Sequence, residues 1–176
     1  MARGVSEKSR LKEERGRIDI EHPERYRPWI QTRDCSKGAG RRHIIPDSRH
    51  PGRMVHLMSD LERIVYIGLC KEKKVKEIFE QYPLDIDHTL KICRDYNIEH
   101  PKNPKTKQCI TMTTDFVIFL ENSEKKNSIM ALAAKPACFL MKQRVREKLY
   151  IEKVYWAEKG IPWYVVTEEE VDELIL

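Results

Sequence analysis

No two of the five cysteines form a C-x-x-C pair. The wide spacing of Cys35, Cys70, Cys93, Cys109 and Cys138 excludes a zinc ribbon. Their number is odd, and reduced thiols of a cytosolic protein fit it best. No apolar run approaches the ~20 residues that span a bilayer, so no membrane role is expected. The opening MARGVSEKSRLKEERGRID lacks the apolar core of a secretory signal. There is no internal repeat, which excludes a solenoid or propeller.

What remains is a chain of 176 residues, the size of one ordinary domain with a tail. Apolar residues make up 40%, enough for a core, and charged residues 35%, enough to cover its surface. The net charge of +5 is mild but uneven. Residues 1–56 hold many of the arginines and four of the six histidines. A local basic surface favours polyanions.

Residues 1–28 are charged, almost without aliphatic pattern, and read as a flexible or surface-wrapped arm preceding a domain over 29–176. The stretch up to His56 mixes Gly, Pro, Arg and His with apolar pairs, which predicts irregular loop with brief strands. In SDLERIVYIGLCKE, Ser59 and Glu62 form a capping box, and Leu61, Ile64, Val65 and Leu69 recur at helical spacing, so a helix is expected over 60–72. KVKEIFEQYPL reads as a strand over 74–84, IDHTLKICRDYN as a helix over 86–97. TTDFVIFLEN and SIMALAAK read as an antiparallel pair over 114–135, turning at NSEKKN. One long helix is expected over 139–159, stopped by Gly160. A strand over 161–167 and a last helix capped by Thr167 and Glu170 close the pattern. The order predicts an α/β fold, a mixed sheet flanked by helices, with 161–167 running parallel to 128–135 through a right-handed crossover.

One residue breaks this pattern. Lys135 ends a strand that reads as buried, and a lysine there is costly unless it has partners or meets water. In an antiparallel hairpin the start of one strand lies beside the end of the next, so Asp115 and Lys135 should be neighbours. Glu62, in the first turn of its helix, is able to point at the same place, and Glu152 lies on the helix that follows Lys135. Each has an ordinary reading: capping partner for Glu62, strand-start turn for Asp115, snorkelling for Lys135, helix surface charge for Glu152. Together, three carboxylates and a lysine suit metal-assisted phosphodiester cleavage. Hard oxygen ligands hold Mg2+, the metal polarises the phosphate, and the lysine neutralises charge building in the transition state.

The blocks GRMVHLMSDLE, EQYPL, IEHP, MTTDF, KPA and EKLYIEKVYWAEKGIPWYVVTEEE, with PWI at 28–30, resemble in order and spacing the N-terminal domain of the TnsA endonuclease family. The resemblance covers about residues 25–173. It implies a restriction-endonuclease-like core with a central mixed sheet. It further implies Mg2+-dependent hydrolysis, with Mn2+ able to substitute, at the 5′ ends of a transposon. The implied partners are double-stranded DNA at the transposon ends, a TnsB-type transposase and a TnsC-type AAA+ ATPase, and the implied setting is the bacterial cytoplasm, at the nucleoid. On the family pattern Glu62 and Asp115 match metal ligands, Lys135 the motif lysine, and Glu152 a further functional acid.

Two features depart. The motif position two before the lysine is usually Glu, Asp or Gln, and here it is Ala133. Either the chain is natural and Glu152 or main-chain carbonyls compensate, or the alanine is a deliberate knockout, which the intact flanking residues favour. Second, the chain ends at Leu176, where the family often continues into a C-terminal domain. Arg41, Arg42, His43, Arg49, Arg53 and His56 precede the active-site helix and are expected to contact DNA phosphates, which position rather than specify. Two other readings stay open: an unrelated nuclease of the same fold, and a catalytically inactive subunit that bridges transposase and ATPase on DNA.

Overall fold

The computed structural model describes residues 15–19, 21–34, 40–121 and 128–175. The turn expected at 122–127 and most of the expected arm lie outside these residues. A two-stranded antiparallel ladder, β1 (His43–Pro46) and β2 (Met54–Leu57), precedes helix α1 (Asp60–Lys71). Strand β3 (Val75–Pro83) and helix α2 (Ile86–Asp95) follow, then β4 (Thr113–Leu120) and β5 (Ser128–Ala134). The chain closes through α3 (Ala137–Leu140), α4 (Gln143–Glu158), β6 (Trp163–Val166) and α5 (Glu168–Ile175). The main sheet has the order β3-β4-β5-β6; its first two pairings are antiparallel and the last, β5 with β6, is parallel.

The apolar run of β4 is buried on both sides, which is why it does not alternate in the sequence. Val117 and Phe119 pack with Phe79 and Ala131 against Ile92 of α2 and Ile151, Tyr155 and Trp156 of α4. Phe116 and Ile118 pack with Ile78, Leu132 and Ala134 against Leu61, Val65 and Tyr66 of α1, Val55 and Leu57 of β2, and Val171 of α5. This is the mixed sheet with helices on both faces of a restriction-endonuclease-like core.

Helix boundaries follow their caps. Ser59 Oγ accepts the Glu62 N–H at 3.1 Å, an interaction contributing about 1 kcal/mol. Asp85 caps α2 through the His88 N–H at 2.7 Å, and Thr167 caps α5 through the Glu169 N–H at 3.2 Å. Gly160 and Asn97 take left-handed backbone after their helices. The expected single helix over 139–159 is instead two, because Lys142 is extended and starts α4. No proline or glycine marks the break, so the periodicity ran through it. Part of the expected arm packs on the domain. Tyr26 is buried edge-on to Phe79, and its hydroxyl donates to the Glu80 carbonyl at 2.8 Å.

Candidate active site

Besides a bulge between Val75 and Glu77 at the start of β3, the alternation of the β3–β4 pair fails near its other end. Phe79 and Tyr82 are three residues apart, yet Phe79 lies in the α2–α4 core and Tyr82 packs against Trp156 of the same core. On the facing strand, Val117 belongs to that core, and Thr114, also three residues away, bonds Glu152 and Trp156 of α4. Both strands therefore slip by one side together. The slip brackets Gln81 and Asp115, which lie between the paired rungs Glu80↔Phe116 and Tyr82↔Thr114. Gln81 absorbs it with a left-handed backbone, φ +49°. The next pairing fails at the same level. The β4–β5 ladder ends at Phe116↔Leu132, and the Asp115 carboxylate takes over, its Oδ2 accepting the Ala134 N–H at 2.9 Å.

Glu62, Asp115 and Lys135 converge here. Lys135 Nζ donates to Asp115 Oδ2 at 2.8 Å. Gln81 Nε2 donates to Asp115 Oδ1 at 3.3 Å and to Glu62 Oε2 at 3.2 Å, so one nitrogen lies between two carboxylates. Glu62 keeps its capping role as well. Its Oε2 accepts the Met58 N–H at 2.8 Å and its Oε1 the Ser59 hydroxyl at 3.2 Å. Glu152 is buried one step behind, its Oε2 accepting from Thr114 Oγ1 at 3.1 Å. Ala133 is buried and paired with Val165, with only a methyl group to offer.

The electrostatics follow from burial. Glu62 is pushed up to about 7, first by burial and then by the Asp115 charge. Glu152 is pushed up to about 8, again by burial and then by Asp115, with Lys135 pulling the other way. Burial alone would lower Lys135, but the charges of Asp115, Glu152 and Glu62 outweigh it and raise it. The amine therefore stays an ammonium at any physiological pH.

Two facing buried carboxylates with one shared amide between them fit a divalent cation. Their oxygens are hard donors, and Mg2+ commonly takes one or two protein carboxylates and completes its shell with water and substrate phosphate. Among the described residues no group of three or more His, Cys, Asp or Glu side chains is arranged around one metal position. Glu62 and Asp115 would hold the ion, and Glu152 lies behind them.

The six basic residues expected at DNA separate. Arg53 is a correction. Its side chain is 2% exposed and its guanidinium bonds Asp47 and Glu80, with Tyr66 donating to the same Asp47 at 3.1 Å. Its charge is spent on these two carboxylates, although the side chain borders the groove described below. Arg49 turns inward to the end of α1, donating to Leu69 O at 3.2 Å and Cys70 Sγ at 3.0 Å. His43 pairs with Asp60 at 2.7 Å. His56 is lowered by burial and by the cations Arg33, Arg15 and Arg53, and its Nδ1 accepts the Thr32 N–H at 3.3 Å. Arg41 is exposed and Arg42 partly so. The sequence reading missed a groove beside the site, lined by Arg25, Arg27, Arg33, Tyr26 and His56. Its Tyr26 reaches the strand that carries Gln81, donating to Glu80 O at 2.8 Å, and the Trp29 N–H donates to Gln81 O at 3.2 Å. The reading also missed Gln81 itself. Its only sequence signal was membership of the EQYPL block.

No helix among the described residues is long and apolar enough to cross a membrane. Residues 72–168 match the family model for the TnsA-like endonuclease N terminal. The chain is 36% identical over 166 residues to the transposon Tn7 transposition protein TnsA of Escherichia coli, covering 94% of this chain and 58% of that protein. The chain thus spans under two thirds of its relative's length. On both findings, this chain belongs to the TnsA-like N-terminal endonuclease family.

Proposed function

We propose that this chain is the endonuclease subunit of a transposition system, hydrolysing a DNA phosphodiester at the 5′ ends of a transposon together with a TnsB-type transposase. The observation that carries the reading is the convergence of Glu62, Asp115 and Lys135 on one buried centre at the splayed end of β4 and β5. Family membership removes the reading as an unrelated nuclease of the same fold.

The chain's residues divide the work. Glu62 and Asp115 would hold Mg2+, which when bound polarises the phosphate and eases deprotonation of water. Asp115 also fixes Lys135 through a charge-assisted bond that orients the ammonium. An ammonium has three donors, and only one is needed for Asp115. The others are free for a phosphate oxygen that gains charge as water adds and the bridging P–O bond breaks. Lys135 is a fixed charge and not a base, because its proton is held more tightly than in water. Glu152, raised to about 8 by burial and by Asp115, holds its proton near neutral pH and is buried behind the two ligands, accepting from Thr114. The Arg25–Arg27–Arg33 groove would carry the DNA backbone toward the centre by phosphate contacts.

Ala133 favours the second reading, an inactive subunit that bridges transposase and TnsC-type ATPase on DNA. The test assembles this chain with its transposase on a transposon-end duplex and follows nicking with Mg2+ and with chelator. Nicking at the 5′ end that chelator abolishes supports the nuclease. Intact DNA in an assembled complex, both for the parent and for Ala133→Gln, supports the bridge.

A further inference from the structure

Gln81 is more than a strand residue. It is 3% exposed, and its amide is fully committed. Nε2 donates to Glu62 and Asp115, and Oε1 accepts the Thr113 hydroxyl at 3.1 Å. Its main chain sits in the left-handed region, φ +49°, which costs a side-chain-bearing residue roughly 1–2 kcal/mol and costs glycine nothing. If the strand needed only the slip at this rung, glycine would serve better. The side chain is kept where the backbone argues against it, and its amide nitrogen lies between the two carboxylates of the centre.

The neighbouring strand offers the complementary fact. Position 133 lies on the same sheet and carries a methyl group. The centre thus has no polar side chain from β5 other than Lys135, while β3 pushes an amide between the two carboxylates. We infer that Gln81 is the positioning residue of this centre. It holds the Glu62 and Asp115 carboxylates toward one another through a single shared amide nitrogen, and it stands in for the polar group that Ala133 lacks. An amide suits the task because it has both a donor nitrogen and an acceptor oxygen. The nitrogen satisfies two carboxylates when they face each other alone, and the oxygen, held by the Thr113 hydroxyl, fixes the orientation of the amide. The inference rests on the nuclease reading of the site.

The test measures cation binding rather than cleavage. Mn2+ is titrated into the full chain, with and without a short DNA duplex, and bound ion is followed by electron paramagnetic resonance beside a thermal melt. Two variants separate the roles of backbone, bulk and amide. Gln81→Gly relieves the left-handed backbone and removes the amide. Gln81→Met keeps the bulk and removes the amide. Both should bind Mn2+ about ten- to a hundredfold more weakly, the usual effect of losing a group that orients metal ligands, and Gln81→Gly should melt no lower than the parent. Parent-like affinity in either variant overturns the inference and leaves the nuclease reading standing. A glycine variant that fails to fold overturns it too, since the side chain would then serve the fold. A parent chain that binds no Mn2+ under either condition overturns both.

Discussion

Replacing Glu152 by glutamine should make the protein more stable, by an amount that grows as pH rises from about 5 to about 8. Glu152 is 6% exposed and its carboxyl is raised from an ordinary 4.5 to about 8. Burial raises it first and Asp115 next, while Lys135 and the Thr114 and Trp163 side chains lower it, with Lys148 also within electrostatic reach. Between the two values the folded protein keeps a proton that the unfolded chain has lost. The folded state then binds more protons, so stability falls as pH rises from about 4.5 to about 8 and is level outside that window. At about 1.4 kcal/mol per pH unit, the loss is on the order of 5 kcal/mol. A chain of this size shifts its melting temperature by about 2–4 °C per kcal/mol. Glutamine keeps the acceptor for Thr114 and cannot ionise. Glu152→Gln should therefore melt with the parent at pH 5 and about 10 °C above it at pH 9. Glu62, raised to about 7, leaves the variant a residual decline that ends near neutrality. Thermal melts at each pH unit from 5 to 9 decide the matter. A variant as pH-sensitive as the parent between 7 and 9, or less stable than the parent at pH 9, refutes the reasoning.

Lys135→Ala should abolish nicking in the assembled complex and leave duplex binding in a mobility-shift assay intact; unchanged nicking removes the lysine from the mechanism. Arg53→Met strands Asp47 and Glu80 without a counter-charge in the interior, at a cost of about 3–5 kcal/mol, read by urea denaturation; parent-like stability with weakened DNA binding would return Arg53 to the DNA surface. Mn2+ should raise the melting temperature more at pH 8 than at pH 6, because Glu62 must lose its proton to bind, and equal shifts would contradict its place as a ligand. Arg41→Ala should lower the slope of log affinity for DNA against log salt by about one without changing the melt; an unaltered slope removes Arg41 from the DNA contacts.

The elements were legible wherever one local rule dominated. Ser59 and Thr167 announce their helices, and the β-branched and aromatic run at 113–120 announces its strand. The neighbourhood of Asp115 and Lys135 was legible too, because an antiparallel hairpin fixes which ends meet, whatever the turn does. Arg53 was not. A guanidinium in an arginine-rich stretch reads as surface, and its burial depends on Asp47, six residues before it, and Glu80, far along the chain. Nothing local distinguishes it from Arg41. The break at Lys142 was equally silent, since the residues on both sides keep helical spacing.

Gln81 was hidden for a different reason, and it explains why the centre lies where it does. Two paired strands that keep strict alternation present each side chain to one core or the other, where a carboxylate needs a dedicated partner, as Glu80 has in Arg53. When both strands slip sides at the same rung, the residues of that rung belong to neither core. Gln81 and Asp115 occupy that rung, and the ladder to β5 gives out beside them. The freed N–H of Ala134 then needs an acceptor, and Asp115 supplies it with the oxygen that also holds Lys135. Asp115 is thereby pinned by main chain, ammonium and amide at once, which lets it stay in place when a cation or a phosphate arrives. Alternation rules applied to one strand at a time do not reveal such a rung, because the slip exists only in the pair.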